Sequence, residues 1–254
     1  MLISEICSFF DQTLMLENFA ADPSNNGLQL CFDSQKPCRK IAFAVDAAQA
    51  TIDLAVKAQA DLLVVHHGLS WGGGLRRWSG VSGKRLGSMF KNDLSLYAVH
   101  LPLDAHEIYG NNAVLCDLMQ LENREKFFAY HGMEIGFTGT RSLISVEELA
   151  KLASNGKDFN MYSSPTASKQ VSKVAVVSGG GGLDGLISAI EAQADVLVIG
   201  EFDHTMYHVV QENNIHVIAL GHYNSEVHGV QSLQRLAAEK LGMETVFLDI
   251  PSGL

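Results

Sequence analysis

Apolar residues along this chain fall into short runs of strand length, separated by stretches with helical spacing. Residues 41–45 form a continuous apolar run that predicts a buried strand. Helical spacing follows over residues 49–59, through Ile52, Val56 and Ala60. Residues 62–65 then predict a second buried strand, which ends on His66 and His67. The glycine-rich stretch 71–87 reads as a loop. A helix is expected at 86–91, a strand at 94–99 and a helix at 112–118. From 122 to 165 the pattern is mixed, with helical spacing only at 146–152. Regular alternation returns with a strand at 174–177, a helix at 183–192 and strands at 196–199 and 217–220. A helix at 231–240 and a strand at 245–250 close the chain. Strands separated by helices imply crossover connections, hence parallel pairing and an α/β fold.

The second series echoes the first. Ala58-Gln59-Ala60-Asp61 recurs as Ala192-Gln193-Ala194-Asp195, each time before an apolar strand. Lys40 to Val45 resembles Lys173 to Val177. His100 to Asp104 and His222 to Glu226 share the form His-x-x-x-acid, and each follows a predicted strand. An internal repeat of this kind predicts two similar α/β halves related by a pseudo-two-fold. The first half, 1–125, carries the His-His-Gly and His-Leu-Pro-Leu-Asp motifs. The second, 126–254, carries Ser-Gly-Gly-Gly-Gly and Gly-His-Tyr-Asn-Ser-Glu.

Composition narrows the function classes. The chain has 254 residues, 47% hydrophobic and 18% charged, as expected of a globular protein with a sizeable core. A net charge of -10 repels nucleic-acid phosphates, so general DNA or RNA binding is disfavoured. No apolar run approaches the ~20 residues that cross a bilayer. The first ten residues carry Glu5 and no basic segment, unlike a signal peptide. A cytoplasmic location is therefore expected. Cys7, Cys31, Cys38 and Cys116 form no C-x-x-C pair and read as core thiols rather than zinc ligands.

Chemistry concentrates just past predicted strand ends, where open α/β sheets bind ligands. His66-His67 reads either as polar turn residues or as paired metal ligands, with Gly68 letting both rings face one cavity. His100 to Asp104 reads as a solvated loop, held extended by Pro102, or as part of a site. His222 to Glu226 reads as a helix start with Glu226 in its first turn, as ligands, or as both. Taken together, His66, His67, Asp104, His222 and Glu226 match a mixed nitrogen and oxygen site for divalent ions. Zn, Fe, Mn, Mg or Co suits such donors, and bridging carboxylates let five donors hold two ions. Gly179, Gly180, Gly181 and Gly182 lie in a predicted strand-to-helix turn that also contains G-x-G-x-x-G at Gly180, Gly182 and Gly185. A lone match of that form is a weak dinucleotide signal; a tight turn or an anion cradle are the other readings. His204 and His208 stand four apart on an expected helix, and His106 has no assigned role. Trp71 and Trp78 flank the glycine-rich loop as an aromatic wall or an interface. With no G-x-S-x-G, covalent catalysis has no support.

At Asn26-Gly-Leu-Gln29, Val65-His-His-Gly68, His100-Leu-Pro-Leu-Asp104, Gly110-Asn-Asn112, Ser178-Gly-Gly-Gly181, Gly221 to Glu226 and Phe247 to Pro251 the chain resembles a known family. It is similar to the GTP cyclohydrolase 1 type 2 homologues, the NGG-interacting-factor-three-like dinuclear metal proteins. The resemblance implies two intertwined α/β/α halves and a two-metal centre on His66, His67, Asp104, His222 and Glu226. It implies a ring-shaped homo-hexamer, and for some members opening of the guanine ring of GTP with release of formate. On that reading His100 is a proton-transfer or ligand-orienting group, and residues 179–182 cradle phosphate. A two-metal phosphoesterase or amidohydrolase and a non-catalytic metal-binding assembly protein are the alternatives.

Overall fold

The computed structural model describes residues 1–73 and 77–254, so the middle of the expected glycine-rich loop lies outside the described residues. In chain order the elements are α1 (Ile3–Thr13), β1 (Gly27–Leu30), β2 (Lys40–Asp46), α2 (Gln49–Lys57), β3 (Leu62–His67), α3 (Gly80–Lys91), β4 (Ser95–Ala98) and α4 (Leu101–Ala105). There follow α5 (Asn111–Leu118), β5 (Glu122–Tyr130), β6 (Met133–Ser145), α6 (Val146–Ser154), β7 (Asn160–Ser163) and β8 (Gln170–Val177). The chain continues through α7 (Gly182–Glu191), β9 (Val196–Ile199), α8 (Met206–Glu212), β10 (His216–Ala219), α9 (His222–Leu241) and β11 (Glu244–Phe247).

These elements form two compact α/β units, each assembled from two stretches of chain. One unit is Met1–Leu103 with Val230–Ile250; the other is Asp104–Gly229 with Pro251–Leu254. The sequence boundary between 125 and 126 falls inside β5, which pairs with β6 along its length. The first unit holds a five-stranded sheet in the order β1-β4-β3-β2-β11, the second a six-stranded sheet in the order β5-β6-β8-β9-β10-β7. The central strands are parallel, and β2, β3 and β4 of the first unit are buried almost throughout. That explains their unbroken apolar runs, since helices cover both faces of a parallel sheet.

The repeat is visible in hydrogen bonds. Asp61 Oδ2 accepts from the backbone N–H of Arg39 and Lys40, and Asp195 Oδ2 accepts from that of Ser172 and Lys173. Lys40 Nζ donates to the Ala58 carbonyl, as Lys173 Nζ does to that of Ala192. Each Asp ties the start of one parallel strand to the start of its neighbour. Strand register then sets the correspondence at the far ends. Ala98 pairs with Val65, and Ala219 with Ile199. His100 therefore corresponds to Gly221, and His222 to Leu101. The two His-x-x-x-acid motifs are one residue out of step, so His100 is not the positional twin of His222.

Other departures have local causes. The helix expected at 86–91 starts at Gly80, with Leu86 and Met89 as its buried apolar anchors despite Gly80, Ser82 and Gly83 in its first two turns. Pro102 lies in the first turn of α4 rather than in an extended loop; a first-turn proline needs no N–H donor. The helix near the end begins at His222, not at 231. His204 precedes α8 and does not share that helix with His208. The mixed stretch 122–165 contains β5, β6 and β7. Register shifts between Glu122 and Glu125 and between Thr140 and Ile144 break the alternation that would have marked those strands. Among the described residues no helix is long and apolar enough to cross a membrane.

Candidate metal centre

In the first unit three imidazoles converge beyond the sheet. Candidate ligand nitrogens of His66, His67 and His100 all lie within 4.8 Å of one another. The His66 and His67 rings are 4.5 Å apart between centroids, and His66 and His100 are 5.1 Å apart. Gly68 follows directly, where an added Cβ would sit 2.6 Å from the Cβ of Ala98 and 2.4 Å from the Gln29 side chain. Glycine is therefore required for the chain to leave β3 along this path. Gln29 accepts from the N–H groups of Leu69 and Ser70 and so fixes the loop after the histidines. Asp22 accepts from the Leu101 N–H and from Ser24, and Asn26 accepts from the His100 N–H. These side chains satisfy the exposed amides at the start of α4.

In the second unit Asp104 and Glu226 are both buried, and their carboxylate oxygens lie within 4.8 Å of one another. Asp104 Oδ1 accepts from Asn111 Nδ2 at 2.9 Å and from Ser178 Oγ at 3.0 Å. Asn111 Oδ1 accepts from the Gly229 N–H, which ties Asp104 to α9. Asn112 accepts from the Ser178 N–H and donates to the Ile135 carbonyl. His222 opens α9, with Nε2 at 3.1 Å from Glu226 Oε1 one turn on. Gly179, at φ +65°, lies so close that an added Cβ would stand 2.3 Å from Glu226 Oε1.

The donor set fits divalent ions on two grounds. Each imidazole has Nδ1 against an oxygen: His66 on the Val99 carbonyl at 2.9 Å, His67 on Asp46 at 2.9 Å, His100 on Asp22 at 3.0 Å and His222 on Glu201 at 2.6 Å. A carbonyl or carboxylate accepts only, so each ring donates through Nδ1. Metal-binding histidines are oriented in this way. The second ground is electrostatic. Two buried carboxylates so close repel each other, and a cation relieves that. Hydrogen bonding to Glu226, with burial opposing it, pushes His222 up to about 9, so a proton takes the cation's part there. At Asp22 burial opposes ionisation, yet bonds from His100 and Asn26 outweigh it and hold the carboxyl below its usual range.

The structure thus places all five expected ligands in these two clusters, and His100 beside His66 and His67. Asp22, Asp46 and Glu201 were not singled out in the sequence. Asp46 ends a strand and Glu201 occupies the register position of His67, which were the available signals. The 179–182 turn joins β8 to α7 as expected, but the Gly179 N–H is donated to Ser225 Oγ at 2.9 Å. Carboxylates of Glu226, Glu201 and Asp203 lie nearest to Gly179, Gly180 and Gly182, respectively, which is unfavourable for phosphate. His106 accepts from the N–H groups of Ile108 and Tyr109 and shapes the turn after α4. Cys7, Cys38 and Cys116 are buried, as expected of core residues, and burial pushes each thiol up to about 12, whereas Cys31 is only half-buried and departs from that expectation.

A family model described as Duf34/NIF3 (NGG1p interacting factor 3) matches residues 1–252. A protein of Archaeoglobus fulgidus named GTP cyclohydrolase 1 type 2 homolog is 42% identical over 255 residues, covering 100% of both chains. One of the same name from Pyrococcus horikoshii is 41% identical, covering 98% of each. The crystal structure of TTHA1606 from Thermus thermophilus matches with a TM-score of 0.87 at 33% identity over 100% of both chains.

Proposed function

Since the chain belongs to the Duf34/NIF3 family, we propose that it is a divalent-metal-dependent hydrolase of the GTP cyclohydrolase kind. His66, His67, Asp104, His222 and Glu226 would hold two ions, drawn from Zn, Fe, Mn, Mg or Co. The observation that carries this reading is the Nδ1 pairing of His66, His67 and His222 with a carbonyl or carboxylate oxygen, which is how metal-binding histidines are oriented. Bound ions of this class polarise a substrate oxygen and acidify water.

The chain's own residues do the rest. Asp46, Glu201 and the Val99 carbonyl orient the ligand rings. Asn111 and Ser178 aim the Asp104 carboxylate. His100, held by Asp22, is placed to move a proton or to steer a ligand. GTP is the proposed substrate because relatives carry that name, and opening of its guanine ring would release formate. A triphosphate meets a chain of net charge -10, so its binding should depend on the ions. If the 179–182 turn contacts phosphate, it does so with an ion between.

The test is elemental analysis of the purified protein, then formate release from GTP against a panel of phosphoesters and amides with each ion supplied. Two ions per chain and formate from GTP support the reading. Turnover of a phosphoester or amide alone moves the chain to the phosphoesterase or amidohydrolase alternative. Two ions with no turnover favour a non-catalytic metal-binding assembly protein. We further propose a ring-shaped homo-hexamer, on family membership alone. Light scattering should then give about six times the 27.6 kDa chain mass, and a monomer would contradict it.

A further inference from the structure

The geometry points to a stacking subsite for a planar ring on Trp71, beside the His66, His67 and His100 cluster. It deepens the hydrolase reading and rests on it, because it assigns the contact that would hold the substrate's ring.

Trp71 is 37% exposed, yet it is held from several sides. Its indole Nε1–H donates to the Gly68 carbonyl at 3.0 Å. Its backbone forms an isolated antiparallel bridge with Ser24, and the next N–H, of Gly72, donates to the Pro23 carbonyl at 2.6 Å. The ring stands edge-on to His100, 5.0 Å between centroids at 72°, and lies 6.2 Å from His67. With its only polar atom already bonded inside the protein, what the indole offers outward is π surface. A side chain held this firmly loses little freedom when a ligand settles on it. A flat ring stacked on the exposed part of the indole would lie beside the His67 and His100 imidazoles. The chemical class is therefore a planar aromatic or heteroaromatic ring, since stacking favours flat π faces whatever their edge groups. Trp78 is a different case: it is 63% exposed and lines a cavity of about 210 Å³ with Gln29, Ser70 and four leucines.

Trp71 and Trp78 are the chain's two tryptophans, so Trp78→Phe leaves Trp71 as the sole indole reporter. The metal-loaded variant is titrated with guanosine 5′-monophosphate and, separately, with ribose 5-phosphate, which lacks the ring. The nucleotide should quench Trp71 emission and the sugar phosphate should not. By calorimetry, Trp71→Ala should bind the nucleotide roughly ten- to a hundred-fold more weakly, with ribose 5-phosphate unaffected and Trp71→Phe restoring most of the loss. Wild-type nucleotide affinity in Trp71→Ala overturns the subsite. So does unchanged Trp71 emission at saturating nucleotide, or the absence of nucleotide binding to the wild type. Metal content and formate release are measured on the same preparations. A loaded, active enzyme indifferent to Trp71→Ala sinks the subsite alone, whereas quenching without any hydrolysis sinks the hydrolase reading alone.

Discussion

At the scale of single residues, the candidate site is shaped by residues outside the expected ligand set. Gly179 shows it most directly: an added methyl would collide with Glu226 Oε1, and φ is +65°. Gly179→Ala, like Glu226→Ala, should therefore lower metal content, and elemental analysis checks it; a fully loaded Gly179→Ala variant would contradict the geometry. Asp46 and Glu201 act through the rings they hold. Asp46→Asn and Glu201→Gln should each weaken metal affinity roughly 10–100-fold by competition titration, with the fold intact by circular dichroism. His100 is paired with Asp22 and lies within ligand reach of His66 and His67. His100→Ala should keep both ions and lower hydrolysis by roughly 10²–10⁴. Loss of an ion would make it a sixth ligand, and full activity would leave it a structural residue. The five expected ligands and His100 were legible because their motifs stand at or just past strand ends. Asp22, Asp46 and Glu201 were not, because an acid that binds only through a histidine looks like any polar residue at a strand or loop end.

At the scale of elements, the two units share a scaffold and differ where the chemistry is. Asp61 and Asp195 make the same pair of backbone bonds, while the strand ends diverge: register aligns His66 with Gly200, His67 with Glu201 and His100 with Gly221. The scaffold was legible because buried parallel strands are apolar runs bounded by recurring signatures. The antiparallel strands β5, β6 and β7 were not, because β5 and β6 are bulged and include exposed positions, and no residue of β7 is fully buried. The shared Asp makes a prediction. Removing either carboxylate leaves two strand-start amides without their acceptor, so Asp61→Ala or Asp195→Ala should cost about 1–3 kcal/mol in denaturant unfolding. For Asp61 the effect is pH-dependent. Burial opposes its charge, but bonds from Arg39 and Lys40 and the nearby Lys36 ammonium prevail, and the folded carboxyl lies below its usual range. A depressed folded pKa gives stability that is present above the unfolded value and lost as pH falls through the folded one. Asp61→Asn should flatten that acid-side decline; an unchanged pH profile would show that the carboxylate contributes nothing there.

At the scale of the whole molecule, the proposed metal centre would link binding to stability. Folding without cations brings Asp104 and Glu226 together, both buried, with oxygens within 4.8 Å. Each is hydrogen-bonded, yet their like charges still oppose folding. An unfolded chain does not gather these donors, so ions held there would bind the folded state preferentially and should stabilise it by mass action, by about 4 kcal/mol at a thousand-fold excess over Kd. For a chain of this size 1 kcal/mol corresponds to about 2–4 °C in Tm, so chelation should lower Tm by roughly ten degrees. The carboxylates supply a control that separates specific binding from a general effect of the chelator. Removing both charges with Asp104→Asn and Glu226→Gln, which keep the side-chain shapes, should raise the metal-free Tm above that of the metal-free wild type. The same double variant should lose the chelator response. If the wild type keeps its Tm once elemental analysis shows the ions gone, the buried acids are not waiting for a cation, and the two-metal reading fails with them.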